Sequence, residues 1–150
     1  MNGTHLDLLP VISLTAPANL TTNTTDNTPE FIFNVSDDLF TQSFLNCSLW
    51  MGNASTTAAY GTNNTVFNRT KTVITANSTL NNGPYEWWIN CSDGVDPIYY
   101  QMDRTNKSEV RNITISITPP DLIPPIVNLS SPANNTWIKN ESRGIDFVFT

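Results

Sequence analysis

The segment YEWWINC, residues 85–91, alternates without a break. Tyr85, Trp87, Ile89 and Cys91 fall on one side and Glu86, Trp88 and Asn90 on the other. Apolar residues that recur at every second position can share one buried face only in a strand, where successive side chains point to opposite sides. The same period runs through EFIFNV, where Phe31, Phe33 and Val35 oppose Glu30, Ile32 and Asn34. In LNCSLWM, Leu45, Cys47, Leu49 and Met51 oppose Asn46, Ser48 and Trp50, and in RNITISI, Ile113, Ile115 and Ile117 oppose Asn112, Thr114 and Ser116. All four are rich in β-branched or aromatic residues, and no window carries the 3.6-residue period of an amphipathic helix. The sequence therefore predicts an all-β, antiparallel protein of half-buried strands.

N-x-[ST] glycosylation signals overlie this pattern. They open at Asn2, Asn19, Asn23, Asn34, Asn46, Asn53, Asn63, Asn68, Asn77, Asn90, Asn106, Asn112, Asn128, Asn134 and Asn140. An Asn/Thr-rich chain would generate about half to two-thirds of these by composition alone, so position says more than number. Asn34, Asn46, Asn90, Asn112 and Asn128 fall in the outward phase, each with its Ser or Thr, while Val35, Cys47, Cys91, Ile113 and Leu129 between them point inward. A glycan needs a solvent-facing asparagine, and this phase supplies it.

The two cysteines each sit inside an NCS signal and face the predicted core. Zinc would need more ligands than two distant cysteines and the lone His5, and a catalytic thiol would need a base close by. A structural disulfide and a pair of buried thiols remain, and the sequon-rich, secreted-looking context favours the disulfide.

Charge narrows the partners. A net charge of -6 with 13% charged residues excludes the basic face that nucleic-acid binding requires. No run of about 20 apolar residues is present to span a membrane. MNGTHLDLLP lacks a positive region followed by an apolar stretch and does not read as a signal peptide.

The chain also begins a second copy of itself. PVISLTAPANLT (10–21) matches PIVNLSSPANNT (125–136), and EFIFN (30–34) returns as DFVFT (146–150) with one residue of slip. A repeat at a spacing of about 115 residues marks tandem modules. Residues 1–9 read as a leader or linker strand and 10–118 as one module. Residues 119–125 then form a Pro-rich, stiff linker, and 126–150 supply the first two strands of the next module. Two strands alone would leave Val127, Leu129, Phe147 and Phe149 wet. Either this stretch belongs to a longer tandem array, or its strands complete a module in a neighbouring subunit.

These features resemble the immunoglobulin-like repeat modules of prokaryotic, especially archaeal, cell-surface and filament proteins. The resemblance rests on P-x-I/V-x-L-x-[ST]-P-A-N (Pro10 to Asn19, Pro125 to Asn134), the following F-x-F strand, NCSLW, and LNNGPYEWWINCSDG (80–94). It implies an antiparallel sandwich of about seven strands. It also implies a non-catalytic role as spacer, adhesin or filament subunit at the cell surface or outside the cell.

Antibody-type domains bridge strand B to strand F, but here the B-like strand carries Phe33, and Cys47 lies on the C-like strand. A Cys47–Cys91 bond would therefore join adjacent antiparallel strands, which directly opposed residues allow. That pairing would set Leu49 against Ile89 and Met51 against Trp87 in the core, and Trp50 against Trp88 on the outer face. An outer tryptophan pair is either an interface for a partner or a local clasp. The long insertion 92–110 offers Tyr99, Tyr100 and Met102 as a second contact surface. Asp93, Asp96 and Asp103 in it could take calcium, but they lack any recognised ligand spacing and read as solvated carboxylates.

The leading expectation is a glycosylated structural subunit that binds other copies of itself, with no cofactor beyond N-linked glycans. A carbohydrate-binding or adhesive module for cell-surface glycans, using Trp50, Trp88 or the insertion tyrosines, is the alternative. A spacer attached to a secreted enzyme is a third reading, since no Ser/His/Asp set, metal motif or phosphate loop occurs in the chain.

Overall fold

A computed structural model describes residues 8–38, 44–94, 104–131, 133 and 148–149. The chain divides into two compact units, Met1–Thr118 and Pro119–Thr150. All regular structure among the described residues is β, and no helix there is long and apolar enough to cross a membrane.

The first unit holds β1 (Val11–Ala16), β2 (Thr21–Asn23), β3 (Glu30–Ser36), β4 (Phe44–Gly52) and β5 (Thr57–Phe67). It continues with β6 (Lys71–Thr75), β7 (Gly83–Ser92), β8 (Thr105–Lys107) and β9 (Arg111–Ile115). One sheet runs β1-β3-β6; the other runs β2-β9-β7-β4-β5, with β8 also bonded to β7. All pairings are antiparallel except β2 with β9.

The alternating residues meet between the sheets. Phe31, Phe33 and Val35 of β3 are fully buried, as are Leu45, Cys47, Leu49 and Met51 of β4 and Trp87, Ile89 and Cys91 of β7. Phe31 and Trp87 touch edge to face across the gap, ring centroids 4.7 Å apart. Burying these side chains is the main driving force for the sandwich-like arrangement.

Two short strands exceed the predicted set. β1 pairs with β3 as far as Ala16, where the register shifts. The chain then crosses to the other sheet and becomes β2, with Leu20 at φ 65° and its N–H donating to the Asn112 carbonyl at 2.8 Å. Arg111 holds this crossing: Nη1 donates to Pro17 O at 3.1 Å and Nη2 to Leu14 O at 2.9 Å. The other addition, β8, lies inside the stretch predicted as a 92–110 insertion. Ser108 fixes it, its N–H donating to Ile89 O and its hydroxyl accepting from Ile89 N.

At the opposite edge β5 pairs with β4 on both sides of a bulge at Leu49/Trp50, and there Tyr60 O accepts from Asn77 N at 2.7 Å. A Cβ on Gly61 would lie 2.5 Å from Ile74 Cγ2 and 3.0 Å from Thr75 O. Only glycine lets the two sheets close this tightly. Gly61→Ala is expected to destabilise the unit by about 1–3 kcal/mol, the usual range for overpacking. Gly52→Ala, whose new methyl meets chiefly the rotatable Thr57 side chain at 2.7 Å, should cost less. Urea midpoints of the two variants check the order.

In the second unit β10 (Leu129–Ser131) pairs antiparallel with β11 (Val148–Phe149). Leu129 opposes Phe149 and Ser131 opposes Val148, with a register shift between them. In the first unit Leu14 opposes Phe33 and Ala16 opposes Ile32, again with a shift between. Sequence-equivalent positions of the two copies thus pair in the same register around the same irregularity.

Candidate functional site

Four of the residues singled out by sequence, Asn46, Asn90, Trp50 and Trp88, lie together on the outer side of the larger sheet. β4 and β7 pair from Asn46↔Ser92 to Gly52↔Glu86, with Cys47↔Cys91 near one end. The cysteines are joined in a disulfide, Cα atoms 4.1 Å apart, the close spacing of a non-hydrogen-bonded antiparallel pair. Both are fully buried, so the link lies within one sheet and faces the core.

The NCS signals therefore face each other head to tail. Asn46 opposes Ser92, and Ser48 opposes Asn90. Asn46 is exposed and Asn90 half-buried, and Asn90 Oδ1 is shielded from solvent with no hydrogen-bond partner among the described residues. One step further along, Trp50 opposes Trp88, and both are half-buried. Lys107 Nζ sits 4.0 Å above the Trp88 ring, a cation–π contact that covers one face of the indole. At the disulfide end of β4 Phe44 opposes Phe67, edge to face at 5.0 Å, both exposed. Sequence reasoning missed this second aromatic pair because Phe67 closes a strand with no clean alternation.

The other signal asparagines fall into distinct settings. Asn53 turns the chain between β4 and β5, its Oδ1 accepting from Ser55 N and Thr56 N at 3.0 Å each. Asn23 and Asn63 accept likewise from Thr25 and Thr65. Asn34 is half-buried on β3, while Asn77, Asn112 and Asn128 are exposed. Asn68 and Asn106 are tied down. Asn68 accepts from Asp37 N and donates to Asp37 O at 2.7 Å; Asn106 Nδ2 donates to Pro10 O at 2.8 Å. Their amides brace the fold, a role that sequon spacing does not reveal.

No protein family, curated protein sequence or solved structure matches this chain.

Tyr99, Tyr100, Asp96, Asp103, Asn134, Asn140 and Phe147 lie outside the described residues, as do the side chains of Leu129 and Phe149. The base of the 95–103 segment is described. Asp93 N donates to Arg104 O at 3.2 Å, and Arg104 N donates to Asp93 Oδ1 at 2.8 Å. This bond gives Asp93, which is buried, a structural partner. Among the described residues no group of three or more metal-ligating side chains gathers. Val127 is 61% exposed, and Leu122, Ile123 and Ile126 near it are more exposed still.

Proposed function

We propose that the chain is a structural, glycosylated extracellular subunit of immunoglobulin-like modules that self-associates into a surface filament or layer. The observation that carries this reading is the shared register of β1 with β3 and of β10 with β11. A second module that starts with the same strand pairing and the same irregularity is built to be repeated, and repetition is how solenoids and arrays extend.

The immunoglobulin-like assignment has three supports. The sheet orders β1-β3-β6 and β9-β7-β4-β5 correspond to A-B-E and G-F-C-C′. Tyr85 near the start of β7 donates from its hydroxyl to Asn81 O at 3.2 Å, in the manner of a tyrosine corner. Where antibody domains bridge B to F with a disulfide, Phe31 and Trp87 make the bridge here. The disulfide itself moves to C and F, and its presence is compatible with an extracellular location.

The assembly joint is assigned to residues 119–150. Leu122, Ile123, Ile126 and Val127 present apolar surface that a partner would cover. Strands from residues 126–150 can extend the open edge of a neighbour's sheet by main-chain pairing. β6 offers such an edge beside a groove of about 540 Å³ lined by Thr62, Asn63, Val73 and Asn77. A contact of this kind that does not close on itself builds a filament. The carbohydrate-binding reading is weaker, because Lys107 already occupies the Trp88 face on which a sugar would stack.

Electron microscopy of protein from its natural source, intact and cleaved near Pro119, tests the proposal. Ordered filaments or sheets that disappear on removing residues 119–150 are expected. Monodisperse particles in both samples would overturn it.

A further inference from the structure

We propose that folding of the disulfide-linked β4–β7 sheet closes Asn46 and Asn90 to N-glycosylation, whereas Asn23 and Asn53 remain acceptors in the folded module. The proposal rests on the glycosylated reading above and adds an order of events to it.

Transfer forms a bond from Asn Nδ2 to the anomeric carbon of an oligosaccharide carried on a lipid diphosphate. The bond from that carbon to the diphosphate oxygen breaks, the lipid diphosphate leaves with the electron pair, and Nδ2 loses one proton to a base of the transferase. The transferase must grip the asparagine and the hydroxyl two residues on together, which requires the acceptor backbone to be free to enter a cleft.

Neither NCS signal has that freedom once the sheet has formed. β4 is hydrogen-bonded to β5 on one side and β7 on the other, and β7 in turn to β4 on one side and β8 and β9 on the other. The middle residue of each signal is a fully buried cysteine bonded to the middle residue of the other. Lifting either signal from the sheet would drag its neighbour along. Asn90 adds an independent sign of closure, since its Oδ1 is shielded from solvent. Core strands open only with the whole unit, in roughly one molecule per thousand or fewer.

Asn53 contrasts on each count, and Asn23, half-buried on the edge strand β2, contrasts in having one strand neighbour and an exposed Thr24 between it and Thr25. Asn53 is exposed in the β4–β5 turn, and Asn23 ends a three-residue strand. In each, the asparagine Oδ1 accepts from the backbone N–H two positions on, that of Ser55 or Thr25, and at Asn23 it also accepts from the Thr25 hydroxyl.

The test uses the full unglycosylated chain, an oligosaccharyltransferase and its lipid-linked oligosaccharide, with site occupancy read by mass spectrometry. One sample is native and oxidised. The other is reduced and alkylated, which places adducts at two fully buried positions and opens the sheet. Modification of Asn23 and Asn53 in both samples is expected, with Asn46 and Asn90 at least about tenfold more occupied in the reduced one. Equal occupancy of Asn46 and Asn90 in the two samples overturns the proposal, as does their silence in both while Asn53 is modified. Silence at every asparagine in both samples overturns the glycosylated reading itself.

Discussion

Replacing both Cys47 and Cys91 by alanine is expected to lower the stability of the first unit by about 4 kcal/mol. The cysteines are 44 residues apart in sequence. Cutting the link frees a loop of that length in the unfolded chain, and the chain-entropy relation gives this magnitude. The native ladder should suffer little, because β4 and β7 remain hydrogen-bonded across seven register pairs from Asn46↔Ser92 to Gly52↔Glu86. The loss therefore belongs mainly to the unfolded state, and two readouts follow. The melting temperature should fall by roughly 15 °C for a unit of this size. The denaturant slope should rise, because the unlinked unfolded chain exposes more surface. Thermal and urea unfolding of the double variant beside the oxidised protein measures both. A loss below about 1 kcal/mol with an unchanged slope would sink the argument.

The core and the β4–β7 register could be read from sequence because they rest on local rules. Period-two alternation places Phe31, Phe33, Leu49, Trp87 and Ile89 inward whatever else the chain does. Once Cys47 is set against Cys91, the antiparallel ladder determines every other partner of β4 on β7, including Trp50 against Trp88. What escaped prediction depends on contacts distant in sequence. β2 and β8 are three residues each, too short to show a period. Arg111 reads as an ordinary charge at a strand start, yet its guanidinium reaches Leu14 and Pro17, more than ninety residues away. Lys107 covers Trp88 only because β8 brings it there, so the sequence left the tryptophan pair open as interface or clasp. The bond from the Tyr85 hydroxyl to Asn81 O spans only four residues, yet period-two alternation places Tyr85 on the core face without showing what its hydroxyl reaches.

Trp87→Ala is expected to cost about 3–5 kcal/mol, and Trp87→Phe only about 1 kcal/mol. Trp87 is fully buried and touches Phe31 of the opposite sheet, so truncation to alanine opens a cavity between the sheets rather than within one. Neighbouring core residues sit on two ladders and cannot collapse freely into that space. Phenylalanine keeps an aromatic ring against Phe31 while giving up part of the indole volume. It also removes a polar group that gains nothing: Trp87 Nε1 is buried with no acceptor among the described residues. A buried N–H without a partner is destabilising by about 1–3 kcal/mol, and its removal offsets much of the lost packing. Urea unfolding of the two variants separates the contributions. If phenylalanine cost as much as alanine, the indole N–H would have to be a working anchor. A small loss at phenylalanine and a large one at alanine would mean that Trp87 holds the sheets together by aromatic volume.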